Sequence, residues 1–488
     1  MTTYYVRKSG SDANDGLSPS TAWLTLGKAA GMVAAGDTVY VGAGVYREQV
    51  TMTASGSSGS PIRWIADVTG EYTGDAGLVV ISARDSDGAA PVRASCLDPG
   101  QQNFVEWHGF VFDGGTSAAV YNASAGNTVY EGCIFEGCVF LASSQGTGKA
   151  FFVDLNEGVT PPGDGLIVRG CTFFGGMNID YSENATASVD GKIAITDCLF
   201  LGPGGGDTCL RFNRAVDSTY AVGGFKVRHC TFVGANYGIR FEYPDDATYP
   251  STVYNCLFAH LYQGIRQQFG AAGAVVEDYN RFIAVSSNTY GTTGGANDAS
   301  GIAVPLAGIA DFPLYRYLGW SPFSPWEPIR FLDGSYEAGV VDAASASYAT
   351  TEDVYGNSRP GWRGYDIGAV EARARAEQEG TTVHGGNYAV KLAGAGYHEV
   401  ILPVTAGQHT ISVYARRDAN YSGSPPKLQV LNIPGQADQE TAMTAGANTW
   451  EQLSVVINPT MDGFVRVRLV SQDASANGEC YFDDLAVT

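Results

Sequence analysis

Basic residues are scarce in this chain: 29 Lys and Arg stand against 50 Asp and Glu, a formal charge of −21 over 488 residues. That balance excludes a partner gripped through its phosphates, so no nucleic-acid role is expected. No apolar run reaches the length of a membrane span, and no membrane insertion is expected. No CxxC pair or His-Cys cluster has zinc spacing. A P-loop, a dinucleotide fingerprint and a Ser-His-Asp elbow are all missing. Met1-Thr2-Thr3 runs directly into the strand-like Tyr4-Tyr5-Val6, without a basic region or an apolar segment of signal-peptide length. Synthesis without an export signal is therefore expected, the alternative being a secreted protein whose leader is removed.

What the chain does have is turn chemistry and apolar bulk. With 63 Gly, 27 Tyr and 44% hydrophobic residues, it reads as a turn-rich β protein with room for two to four domains. Its nine cysteines are an odd number. Five of them recur in one phrase: an apolar residue, two others, Cys, one residue, then Phe. It runs Tyr130 to Phe135, Val168 to Phe173, Ile195 to Phe200, Val227 to Phe232 and Val253 to Phe258. The cysteines lie 38, 27, 32 and 26 residues apart. Self-similarity at this period marks a solenoid, whose repeats stack on a continuous core. Alternation within the phrase predicts a β-strand with Cys and Phe facing inward. The thiols are expected to be buried and reduced, in a chain folded in a reducing compartment.

The loop Gly10 to Gly16 opens like a calcium loop at Asp12 and Asn14. Leu17 and Trp23 then stand where the sharp-turn glycine and the bidentate glutamate belong, so it is read as turn chemistry. Leu26, Ala29, Ala30 and Val33 keep helical spacing, and this helix is expected to cover the open end of the solenoid. Later rungs show a second strand after the Cys phrase, at Thr208 to Phe212, Tyr237 to Phe241 and Gln263 to Arg266. The longer loops, at Cys138 to Asp164, Met177 to Asp190 and Arg214 to Gly224, are the expected carriers of function on a rigid scaffold.

Tyr4-Tyr5-Val6, Gly10-Ser11-Asp12, Asp15 to Ser18, Ala35 to Val41 and Gly44 to Glu48 together resemble the N-terminal signature of pectin-lyase-like right-handed parallel β-helix proteins. Ser60 to Ala66 and Asn103 to Gly114 continue the pattern. Asp353, Gly356, Arg359, Asp366-Ile367-Gly368-Ala369 and Glu371 resemble the closing motif of such helices. The likeness covers residues 4 to 371 and implies the fold far more than an activity, because the family holds lyases, hydrolases, epimerases, phage tailspikes and inert stalks. The expected organisation is an N-terminal strand, loop and capping helix over 1–38, a parallel β-helix over 39–371, a linker over 372–380 and an antiparallel sandwich over 381–488.

That sandwich is predicted from seven or more short alternating segments between Tyr388 and Leu485, separated by turn signals. Val404 to Gly407, Thr449-Trp450 and the terminal Tyr481-Phe482-Asp483-Asp484 resemble jelly-roll carbohydrate-binding modules. The resemblance implies a structural calcium at Asp483 and Asp484. Turn-capping carboxylates are the plain alternative. No other cofactor is required.

Arg211, Arg240 and Arg266 occupy matching places after their cysteines. A guanidinium column at rung spacing repels itself unless Asp207, Glu242 and Asp245 neutralise it or an anionic ligand does. Resemblance to polysaccharide lyases makes Arg240, Arg266 and Arg211 candidate catalytic residues, because those enzymes use a basic side chain to take the proton beside a uronate carboxyl. A glycoside hydrolase would instead need two carboxylates, for which Asp207 and Asp245 are the candidates. A structural salt-bridge ladder is the alternative. The Gly-His-Gly and Arg-x-Lys of polygalacturonase-like enzymes are absent. Tyr237, Tyr243 and Tyr262 beside the arginines, and Tyr397, Tyr421 and Trp450 in the sandwich, are candidates to hold sugar faces. The other role for such rings is core filling.

Three functions compete on this sequence. A virion appendage (tailspike, fibre or capsid decoration), made in the host cytoplasm and adhering to surface glycans, accounts for the thiols, the acidity and the pairing of solenoid with sugar module. Its partners would be glycans and other virion proteins, with a homotrimer favoured although no heptad segment specifies one. The alternative is an extracellular polysaccharide lyase or glycoside hydrolase acting on an acidic polysaccharide. The third is a structural block without chemistry.

Overall fold

A computed structural model describes residues 1–86, 89–122, 130–142, 149–156, 163–182, 189–190, 192–202, 208–214, 222–242, 249–268, 273–292, 294–301, 344–348, 350–351, 375–385, 389–431, 433, 435–460, 463–473 and 478–488. They fall into two compact units, 1–301 with 344–351, and 375–488. Asp207, Tyr243, Asp245 and the closing motif from Asp353 to Glu371 lie outside the described residues.

The first unit is a parallel β-helix. Each turn of chain gives one strand to each of three parallel ladders. Among the described residues the first ladder runs from Thr3–Val6, Thr38–Val41 and Ile62–Ala66 to Val275–Asp278, ten strands. The second runs from Gly44–Arg47 through Val139–Leu141 and Thr231–Val233 to Ala299–Gly301. The third includes Lys149–Asn156, Gly176–Ser182, Thr208–Arg214, Tyr237–Phe241 and the distal part of Leu257–Gln267. Strands are short because the chain must bend at three corners per rung, and inward positions alternate with outward ones as the pleat requires. At the start, the helix Leu26–Ala30 buries Leu26, Ala29 and Ala30. Asp12 serves turn chemistry, accepting from the Leu24 and Thr25 N–H groups.

Inside, an aromatic column fills the second ladder. Phe112, Phe140, Phe173, Phe200, Phe232, Phe258 and Phe282 stack ring on ring, with centroids 5.1, 4.7, 4.6, 4.8, 5.0 and 5.0 Å apart. The spacing is that of the strands, so in-register pairing places each ring in offset contact with the next.

Two details of the repeating phrase differ from the expectation. The phrase is a corner rather than one strand: it joins the end of a first-ladder strand to the start of a second-ladder one, with Cys between them. Gly137, Gly170, Asp197, His229 and Asn255, the residues just before these cysteines, have φ between 48° and 60°. This left-handed step turns the chain. The first copy also belongs elsewhere: Val139 pairs with Thr172 and Phe140 with Phe173, so Cys138 heads the column continued by Cys171, Cys198, Cys230 and Cys256. Cys133 lies outside that column, bonding to the Gln102 carbonyl. All nine cysteines are free and buried. Each column thiol donates to a carbonyl of the previous rung, as Cys171 does to Phe135 O at 3.4 Å and Cys230 to Ile195 O at 3.5 Å. Burial pushes the Cys138, Cys198 and Cys256 thiols well above their ordinary range.

The second unit is an antiparallel sandwich of a five-stranded and a four-stranded sheet around Leu392, Ile411, Val413, Leu428, Val430, Val467 and Phe482. Residues expected as linker are partly sandwich: Arg375–Glu379 is an edge strand paired with Ala389–Ala393. The segment lacked large apolar residues, and an edge strand needs few.

Candidate functional site

On the third ladder, Leu210, Phe212, Ile239, Phe241 and Ile265 are buried, which turns their sequence neighbours outward. The register aligns those neighbours into a column: Tyr121, Phe152, Asn178, Arg211, Arg240, Arg266 and Tyr290, each opposite the next. Two residues further along each strand a second column holds Asp154, Asp180 and Asn213 in register. Glu242 and Gln268 continue it, donating their N–H groups to Phe212 O and Phe241 O of the preceding rungs. Gly238 and Gly264 make this approach possible. A Cβ on either would stand 2.7 or 2.5 Å from the ring of Phe258 or Phe282.

The predicted arginine column therefore exists, and Glu242 is the neutralising partner. Its carboxylate, 8% exposed, takes Arg211 Nη2 at 2.5 Å and pairs also with Arg240. Arg240 Nε additionally donates to Gln268 Oε1 at 3.1 Å. Arg266 differs: its Nη1 donates to the Tyr237 hydroxyl at 2.8 Å, and its guanidinium lies 5.0 Å from the Tyr237 ring centroid and 5.4 Å from that of Tyr290. Among the described residues Arg266 has no carboxylate partner, and its Nε is buried without an acceptor. Tyr262 and Tyr290, 58% and 54% exposed, flank this end of the face. Tyr237 meets Tyr262 edge-on at 6.5 Å.

Asp154 and Asp180 were not found from the sequence. They lie one rung apart, about 4.8 Å between strands, beside Asn178, Phe152 and Lys149, whose Nζ sits 4.4 Å above the Phe152 ring. Burial holds the Asp180 carboxyl above its usual range, against the pull of Arg211 and Lys149. Its Oδ1 is buried without a hydrogen-bond donor. A signal for these carboxylates was present: an apolar residue between two outward ones recurs as Phe152-Val-Asp154, Asn178-Ile-Asp180, Arg211-Phe-Asn213 and Arg240-Phe-Glu242, and Arg266-Gln-Gln268 keeps the spacing with a polar residue in the middle. The recurring Cys-x-Phe phrase does not mark it.

In the sandwich the three aromatic candidates do not meet at one groove. Tyr397, under the Arg468 guanidinium at 4.1 Å, belongs to the four-stranded sheet. Tyr421 is tied into the structure, its hydroxyl accepting from Gln472 N at 2.7 Å and donating to Ser424 O at 3.0 Å. Burial pushes that phenol to about 12. Trp450 leads a strand of the five-stranded sheet and meets His384 edge-on at 5.7 Å, while His384 stacks on Tyr414 at 3.5 Å. Asp483 Oδ2 accepts from the His384 and Gly385 N–H groups at 2.7 and 3.0 Å, and Asp484 bonds to His384 Nδ1 at 2.8 Å. These oxygens face N–H donors, and no group of three metal-capable side chains occurs among the described residues. Among the described residues, these contacts are those of capping carboxylates.

No family model and no curated protein matches the sequence. Among solved structures, the chain is similar to XylC in its complex with xylose, at 15% identity over 63% of this chain and 70% of that one, with a TM-score of 0.43. It is similar to pectate lyase Pel9A at 12% identity, over 76% and 96% of the two chains, with a TM-score of 0.40. A 23% share of the chain is similar to 84% of a family 16 carbohydrate-binding module, at 18% identity and a TM-score of 0.20.

Proposed function

We propose that this protein is a glycan-binding solenoid, an adhesive appendage that holds a polysaccharide along the outward face of its third ladder. The observation that carries the reading is the register column itself. At its distal end exposed Tyr262 and Tyr290 stand beside the Arg266 guanidinium, with Arg240 and Arg211 on adjoining strands and the Gln268 amide bonded to Arg240, so a flat sugar face and its hydroxyls meet matching partners there. A rigid ladder presents these groups without ordering cost on binding. A virion setting, assembly in a host cytoplasm, contact with other virion proteins and a homotrimer belong to the same reading; the nine buried free thiols support its folding in a reducing compartment. Affinity measurements against acidic and neutral polysaccharides test it. Tyr262→Ala and Tyr290→Ala should each weaken binding by about 2- to 13-fold, the range of one stacked ring, and unchanged affinity in both removes this face from the account.

Cleavage of the bound chain is the second reading, and the Asp154–Asp180 register pair favours it. Two carboxylates one rung apart approach the separation used for retaining glycoside hydrolysis, and burial that raises the Asp180 carboxyl favours the acid role. New reducing ends from wild type, absent in Asp180→Asn, would support hydrolysis. Unsaturated products lost in Arg240→Ala would support elimination instead.

A further inference from the structure

We propose that Glu277 and Asp298 share one proton, and that this acid–carboxylate pair is a pH-sensitive latch holding the last described rung, with the Tyr290 wall of the glycan face, in place. Val275–Asp278 is the last described strand of the first ladder. Its register sets Glu277 opposite Val253, in the inward column that Ile195, Val227 and Val253 fill in the rungs before it. A carboxyl group thus follows an apolar column as its last described member, and it is only 6% exposed.

Counting donors assigns the proton. Glu277 Oε2 accepts from Asn280 Nδ2 at 2.9 Å, while Oε1 has no hydrogen-bond donor. Both oxygens of Asp298 already accept: Oδ1 from Asn280 N at 2.8 Å and Oδ2 from Gly295 N at 3.0 Å. Glu277 Oε1, the one oxygen of the four without a donor, therefore carries the proton and donates it to Asp298. No Lys, Arg or His pairs with either group among the described residues. The remaining nearby carboxylate, Asp278, points to the other face and accepts from Asn297 N at 2.7 Å. Burial, and then the neighbouring Asp298, push Glu277 up to about 9.

Asn280 links the latch to the solenoid, accepting from Cys256 N at 3.0 Å and donating to Val253 O at 3.0 Å. The same rung continues through Arg281–Tyr290, so releasing it frees the ring that covers Arg266. An acid raised in the closed rung binds its proton more tightly there than in an opened one, where it titrates near about 4.3. The latch is complete below that value. Opening then gains up to about tenfold per pH unit until Glu277 ionises in place.

The consequence for binding rests on the glycan reading; the latch itself does not. Hydrogen exchange of the Asn280 and Gly295 amides in the full chain, corrected for intrinsic rates, reads the opening equilibrium between pH 5 and 9. Wild type should open increasingly with pH. Glu277→Gln, whose amide donates to Asp298 without ionising, should give a flat profile. A flat wild-type profile, or an equal slope in the variant, overturns the latch. Calcium that slows exchange in wild type alone would replace the proton with a bridging cation and overturn it too. Polysaccharide affinity that falls with pH in wild type but not in Glu277→Gln supports control of the glycan face. Affinity independent of pH while exchange changes overturns that control. Failure of every polysaccharide to bind sinks the glycan reading and leaves the exchange profiles to judge the latch.

Discussion

Glu136 shows how single residues on the first ladder are held. It accepts from His108 Nδ1 at 2.9 Å and from Arg169 Nε at 2.8 Å. His108 first, with Arg169 behind it, lowers its carboxyl from 4.5 to about 2. A depressed acid adds stability above its unfolded value and loses it as pH falls through the folded one. Denaturant midpoints should therefore fall between pH 5 and 2 more steeply in wild type than in Glu136→Gln, by a modest margin because the group is 36% exposed. Parallel profiles would show that the pair contributes nothing. Tyr421 makes a sharper single-residue case, since its hydroxyl serves one donor and one acceptor. Tyr421→Phe should cost about 1 kcal/mol in denaturant unfolding, with the sandwich core intact, and no loss would mean that its hydroxyl is replaced by water.

Among elements, the aromatic column is the strongest structural unit. Phe200 is fully buried, with Phe173 stacked at 4.6 Å on one side and Phe232 at 4.8 Å on the other. Phe200→Ala should cost about 3–5 kcal/mol, measured by denaturant unfolding. A smaller loss would mean that neighbouring rungs collapse into the gap. This column and the rung order were legible because an in-register solenoid repeats its inward residues in the sequence. What misled was the corner. Phe135-Glu-Gly-Cys138-Val-Phe140 fits the phrase as well as Tyr130 to Phe135 does, and only pairing decides that Cys138 is the true member. The arginines put one residue type on three rungs and were readable, whereas the outward pattern that carries Asp154 and Asp180 changes residue type from rung to rung and was passed over. Glu277 was hidden for the opposite reason, a polar residue in a position that every earlier rung fills with an apolar one. Arg375–Glu379 looked like linker because an edge strand carries little apolar signal.

For the molecule as a whole, the nine buried thiols make a global probe. A thiol reagent should find none reactive in the native protein and all nine after unfolding; reactive native cysteines would mean that the rungs are not closed. The two units make separable claims on glycan binding, the solenoid through its third ladder and the sandwich through the rings around His384. Hydrogen exchange of the full chain with and without a bound polysaccharide separates them. The account predicts added protection at Gly176–Ser182, Thr208–Arg214, Tyr237–Phe241 and Leu257–Gln267. Protection confined to residues 375–488 would contradict it.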